Sequence, residues 1–94
     1  MSITVRNEPD LNRYTVFIDD DAVGFAEYRI HSDEIVFIHT EVDPERREKG
    51  LASTLVQWAL DDVRDNSDRR VVAQCPYVRH WLREHPEYRD LLDR

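Results

Sequence analysis

The stretch from Ile35 to Gln74 restricts the fold more than any other part of the chain. It opens on an apolar strand-like run, Ile35-Val36-Phe37-Ile38, and closes on a second strand-like run, Arg70 to Gln74. Between them Leu51, Ala52, Leu55, Val56, Ala59, Leu60 and Val63 recur at helical spacing, leaving Asp61, Asp62, Arg64 and Asp65 for water. A strand, a crossover helix and a strand make a right-handed parallel unit, and the helix stripe has to pack on the sheet that contains both strands.

The joint between the first strand and the helix, Val42-Asp43-Pro44-Glu45-Arg46-Arg47-Glu48-Lys49-Gly50-Leu51-Ala52-Ser53, is then the first turn of that unit. At such a joint successive backbone N–H groups point at one spot and the helix dipole adds partial positive charge there, so an anion is bound readily. Gly50 permits close approach where the helix begins. Arg46, Arg47 and Lys49 crowd the same place, and cations at a helix N-terminus oppose the dipole by a few tenths of a kcal/mol each. A bound anion relieves that conflict; the alternative is a solvated, basic helix start.

Upstream the pattern is all strand. Ile3 to Asn7 alternates and stops at Glu8-Pro9-Asp10; Arg13 to Asp19 puts Tyr14, Val16 and Ile18 on one face and Thr15 and Phe17 on the other. Asp19-Asp20-Asp21 turns the chain into a third strand, Val23 to Ile30, where Gly24 marks a bulge or a close backbone approach. His31-Ser32-Asp33 turns it into the fourth. A period of two gives that strand one face of Ile35, Phe37, His39 and Glu41 and another of Val36, Ile38, Thr40 and Val42. Both begin apolar, which predicts a central strand covered on both sides and polar only at its C-terminal end, where ligands sit in α/β sheets. Downstream, Pro76 suits a first helical turn, Val78, Trp81 and Leu82 form an apolar face, His85-Pro86 breaks the helix, and Glu87 to Leu92 offers a last turn. The expected fold class is therefore α/β (α+β): a four-stranded antiparallel meander, a parallel βαβ unit and C-terminal helices, in one domain over residues 1–94.

Composition removes several function classes. The 94 residues carry a net charge of −7, which opposes approach to a nucleic-acid backbone. No run is long and apolar enough for a membrane span, and Met-Ser-Ile-Thr-Val-Arg lacks a signal-peptide core, so a cytoplasmic location is expected. The single cysteine, Cys75, forms no internal disulfide and serves packing or chemistry. Asp19 to Asp21 reads as a hairpin tip, since Ala22-Val23 interrupts any calcium-loop spacing. His80 and His85, five apart, face different sides of one helix and make no zinc site.

Arg47-x-x-Gly50-x-Ala52 resembles the R/Q-x-x-G-x-G/A pyrophosphate loop of the GNAT superfamily of acyl-CoA-dependent N-acetyltransferases. With the strand before it, the helix after it and the strand entering Cys75-Pro76-Tyr77, nearly the whole chain is similar to compact GNAT proteins that keep the acyl-CoA site and lack the usual N-terminal helices, a truncated GNAT fold. The resemblance implies acetyl-CoA or coenzyme A as cofactor and an amine, small molecule or protein, as acceptor. It also implies a pyrophosphate cradle of Arg46, Arg47, Glu48, Lys49, Gly50, Leu51 and Ala52, and pantetheine paired with the backbone from Thr40 to Val42 where the fourth and fifth strands splay. Glu48 departs from the glycine many GNAT loops have there, and its carboxylate must point away from the pyrophosphate.

Aminolysis of a thioester requires a grip on the coenzyme, a polarised carbonyl, removal of a proton from the ammonium and a proton for the thiolate. His39 is the candidate base, oriented by Glu41 two residues on; its alternative is a hydrogen-bonded core histidine. The acetyl group is expected between the two strand ends, with His39 on one and Cys75 on the other. Cys75, just before a helix, is a candidate acylated nucleophile or proton donor, or simply a buried residue. By the resemblance Tyr77 is the other candidate acid. Arg79 and Arg83 pair with Glu84 and Glu87, or reach the adenosine phosphate. Trp58 and Trp81 cover each other or a partner. Two other functions stay open: a coenzyme A binding module with little turnover, and an acidic interaction protein without a ligand, which Glu48 favours.

Overall fold

The computed structural model describes residues 2–46 and 50–94. Strands β1 (Ile3–Glu8), β2 (Arg13–Ile18), β3 (Asp21–His31) and β4 (Glu34–Val42) form the antiparallel meander, helix α1 (Leu51–Asn66) crosses over, and β5 (Arg70–Ala73) joins β4 in parallel. The sheet order is β1-β2-β3-β4-β5. Helix α2 (Pro76–Glu84) and a 3-10 segment, Pro86–Asp93, complete the chain. The connections use residues that tolerate a left-handed backbone: Asn12, Asp19 and Ser32 have φ of 53°, 55° and 57°.

The core lies between one face of the sheet and α1. Val5, Tyr14, Val16, Ala26, Tyr28, Ile35, Phe37 and Val71 meet Leu55, Val56, Ala59, Leu60 and Val63 of the helix. Burial of each large apolar side chain in that layer contributes roughly 1.5–3 kcal/mol. Beside α1, α2 adds Val78, Trp81 and Leu82, and the 3-10 segment adds Tyr88 and Leu91. The Arg94 guanidinium donates to the carbonyls of Val63, Arg64, Ser67 and Arg69, closing the exposed C-terminal end of α1. Trp81 stacks on His85 at 3.7 Å between ring centroids, while Trp58 meets Tyr14 edge-on at 6.0 Å, so the tryptophans do not cover each other.

The opposite face of the sheet differs from expectation. Among the described residues no helix lies on it, and Val36 and Ile38 are only half-buried rather than enclosed. Long cations shield its rings instead: Arg6 lies 4.3 Å from the Phe17 centroid and Arg13 5.2 Å from that of Phe25.

A second correction concerns β4. Tyr28 pairs with Phe37 but Glu27 pairs with His39, so Ile38 is an extra residue in a β-bulge. The bulge shifts the alternation. Thr40, opposite the fully buried Ala26, joins Ile35 and Phe37 on the helix side, and His39 and Glu41 turn to the open face with Glu27 and Phe25. A period of two carried straight through Ile38 assigns these residues the other way round.

Candidate functional site

The sheet opens at one point. Register between β4 and β5 runs from Glu34–Arg70 to Phe37–Ala73 and stops. The Phe37 carbonyl then accepts N–H groups from both Gln74 and Cys75, each at 2.9 Å, and the chain turns away into α2. β4 continues to Val42 with β3 on one side only, so its backbone groups on the β5 side are left without a strand. A splay of that kind follows from Pro76, which cannot donate to a ladder and starts a helix.

The helix-side mouth of the splay is a pocket of about 350 Å3 lined by Thr40, Val42, Gly50, Leu51, Ala52, Ser53 and Tyr77. Gly50 caps α1 in a left-handed conformation, φ 78° and ψ 9°, with no side-chain cap among the described residues. Among the described residues Thr54 N–H is the first to bond back, to the Gly50 carbonyl at 2.9 Å. The amides of Leu51, Ala52 and Ser53 therefore have no acceptor within the helix and lie at the positive end of its dipole, with no acidic side chain in that turn. An anion fits there.

Of the residues singled out in the sequence, Thr40, Val42, Gly50, Leu51, Ala52 and Tyr77 come together in this wall. Cys75 is buried, 3% exposed, and its Sγ lies 3.4 Å from Thr40 Oγ1, across the root of the splay. Tyr77 is 37% exposed, and partial burial raises the pKa of its hydroxyl above the ordinary tyrosine value, so it stays protonated at neutral pH. Arg46 is engaged 3.4 Å from Asp21 rather than directed at the pocket. Arg47, Glu48 and Lys49 lie outside the described residues.

His39 and Glu41 are brought together but not with Cys75. They share the open face, Nε2 to Oε1 at 3.7 Å, and the imidazole ring lies 5.9 Å from that of Phe25. A side-by-side imidazole and sulfur is therefore not what this fold builds: the bulge at Ile38 puts His39 on one face and Thr40, with Cys75, on the other. His39 is also no core histidine, its side chain being 54% exposed.

Two residues escaped the sequence reading. Ser53 lines the pocket and its Oγ accepts the Trp81 indole N–H at 2.8 Å, which couples the start of α1 to α2. Counting three amides into the helix would have found it. Phe25 reaches His39 only through the β3–β4 register, which no local pattern encodes. Arg79, by contrast, donates to the carbonyls of Ala73 and Gln74 and leaves Glu84 to His80, 3.4 Å away.

Comparison with known proteins agrees with this architecture. The fold is shared with PaiA N-acetyltransferase from Thermoplasma acidophilum in complex with coenzyme A, at 23% identity and a TM-score of 0.50 over 56% of this chain and 33% of that one. It is shared too with ribosomal-protein-alanine N-acetyltransferase from Brucella melitensis biovar Abortus 2308, at 20% identity and a TM-score of 0.58 over 80% and 57%. The chain thus spans about a third and just over half of those two proteins. No curated protein matches it significantly. A family model described as GCN5-related N-acetyl-transferase matches residues 13–91, from β2 to the last 3-10 segment. With most of its length inside that match, the chain belongs to the GCN5-related N-acetyl-transferase family.

Proposed function

We propose that this chain transfers an acetyl group from acetyl-CoA to an amine, with the splay between β4 and β5 as the reaction site. The observation that carries the reading is the meeting, around one pocket, of first-turn amides without an acceptor among the described residues, the half of β4 that is paired on one edge only, and Tyr77. Amides of Leu51, Ala52 and Ser53 hold the diphosphate, and the β4 backbone from Thr40 to Val42 holds the pantetheine arm as an added strand. Bound acetyl-CoA supplies the activated carbonyl.

Around that carbonyl the roles divide by face. On the helix side Tyr77 gives the proton that the departing thiolate needs. On the open side His39, with Glu41 beside it, takes a proton from the incoming ammonium, directly or through one water. Cys75 has Thr40, not a base, at its sulfur, which favours direct transfer over an acyl-cysteine route.

Turnover of acetyl-CoA against a panel of amines tests this. His39→Ala is expected to lower kcat by about 10²-fold or more and Tyr77→Phe by about tenfold or more, while Cys75→Ala keeps the rate within a few-fold. Unchanged rates in the first two variants remove their roles. The open face, which offers an acceptor no enclosing helix, supports the second reading, a coenzyme A binding module; tight coenzyme binding without transfer to any amine would establish it.

A further inference from the structure

The end of the sheet remote from the splay has a cleft of its own. It lies about 18 Å along α1 from Gly50, at 1.5 Å of rise per residue, where the last helical turn passes the start of β4. A hollow of about 350 Å3 opens there, walled by Asn7, Tyr14, Tyr28, Asp62, Asn66 and Arg69. Its floor is apolar: Ile35 and Val63 are 4% and 1% exposed, while Ile30 at the rim keeps 44% of its surface open.

The inner wall carries oxygens whose hydroxyl protons are already committed. Tyr14 Oη donates to Asp62 Oδ2 at 2.7 Å, Tyr28 Oη donates to Asn7 Oδ1 at 2.7 Å, and Asn66 Nδ2 donates to Asp62 Oδ1 at 2.8 Å. Toward a ligand the tyrosine and Asp62 oxygens can only accept, and the carboxylate they surround is held in place before anything binds. Arg69 supplies the opposite charge. Its backbone is anchored, N–H to Ser67 Oγ at 3.1 Å and carbonyl to the Arg94 guanidinium at 3.2 Å, and among the described residues its side chain forms no ion pair. Burial does most to raise the Tyr28 pKa, Asp62 adds to the rise and Arg69 opposes it, so both charges are felt at one hydroxyl. The carboxylate and the guanidinium thus share the cleft without pairing with each other.

The geometry points to a second ligand site, for a free α-amino acid with an apolar side chain: its ammonium donates to Asp62 and the tyrosine oxygens, its carboxylate meets Arg69, and its side chain covers Ile30. A simple cation would be repelled by Arg69, and a simple anion by Asp62. A zwitterion satisfies both charges at once. The cleft is at the small end of ligand-pocket volumes, which suits a molecule of that size. None of its walls belongs to the pocket at Gly50, so the site stands whether or not the chain transfers acetyl groups.

Titration of the full chain with L-leucine, followed by calorimetry and by amide shifts, tests the assignment. Saturable binding with a Kd of about 1 mM or tighter is expected, with shifts at Asn7, Ile30, Val63 and Arg69 and none from Gly50 to Ser53. Saturating coenzyme A should leave that Kd unchanged. Isopentylamine, which lacks the carboxylate, and isocaproate, which lacks the ammonium, should each bind about tenfold or more weakly than L-leucine. Arg69→Gln should weaken L-leucine by about tenfold without weakening isopentylamine, and Asp62→Asn, which keeps an acceptor for Tyr14, should weaken L-leucine by at least about as much. Because Arg69 is exposed and outside the core, its variant decides the question even if Asp62→Asn fails to fold. Absence of saturable binding, an L-leucine Kd indifferent to Arg69→Gln, amine or acid binding as tightly as the amino acid, or displacement by coenzyme A overturns the assignment.

Discussion

The two halves of β4 share one strand and live in different surroundings. From Glu34 to Phe37 it is paired on both edges, and Ile35 and Phe37 are 4% and 2% exposed. From Ile38 to Val42 it keeps β3 and loses β5, and every side chain is at least partly open to solvent. Two events around one residue make the change: β5 turns away at the Phe37 carbonyl, and the bulge at Ile38 reverses which side chains face the helix. A half paired on both edges thereby holds a half paired on one edge in position, which is what a site needs from its scaffold.

The largest contrast between the halves is expected in stability. Phe37→Ala empties a packed position against Tyr14 and Tyr28, whose rings lie 6.2 and 6.1 Å away, and should cost about 3–5 kcal/mol in a urea melt. Thr40→Ala, three residues on, should change stability by only about 0.5 kcal/mol and act on coenzyme affinity instead. Equal losses would break the comparison. Next comes Gly24→Ala, which drives a Cβ against the backbone of the open half and should cost about 1–3 kcal/mol while widening the gap between β3 and β4. A loss no larger than at an exposed strand position would mean that the open half yields freely.

The enclosed half was legible in the sequence because its signal is local. Helical spacing from Leu51 to Val63, two apolar runs and Pro76 give the parallel unit, its helix and the place where β5 must stop. In the open half the neighbours were legible and the orientation was not. Thr40, Val42, Gly50 and Tyr77 line one pocket, because a strand end, a helix start and a helix after β5 are brought together by topology alone. The faces of His39 and Glu41 were not legible, because one inserted residue at Ile38 reverses the alternation and nothing in Ile35-Val36-Phe37-Ile38 marks which residue the neighbouring strand will skip. Coverage was misread for a related reason. Val36 and Ile38 are apolar as if enclosed but are only half-buried, and the Phe17 and Phe25 rings of that face are covered by arginine side chains, which a hydropathy pattern counts as polar.

The smallest expected effect separates the halves by pH. Behind the enclosed half, Tyr14 is 2% exposed and donates its hydroxyl to Asp62 at 2.7 Å; burial first, then that carboxylate, raises its pKa well above the ordinary value near 10. Tyr28, donating to Asn7 at 2.7 Å, is raised mainly by burial. Below about pH 10 both tyrosines are protonated in the folded and unfolded chain, and their contribution is fully present. As pH rises further the unfolded chain releases these protons and the folded chain keeps them, so unfolding becomes easier with each step. Urea midpoints should be level from about pH 7 to 9 and fall above about pH 10. Tyr14→Phe should lower stability at neutral pH by about 1 kcal/mol through the lost hydrogen bond and make the alkaline fall shallower. Tyr77→Phe, in the open half and 37% exposed, should leave the alkaline profile nearly as it was. If both substitutions flatten the profile equally, the enclosed and open halves of β4 do not differ in how firmly they exclude water.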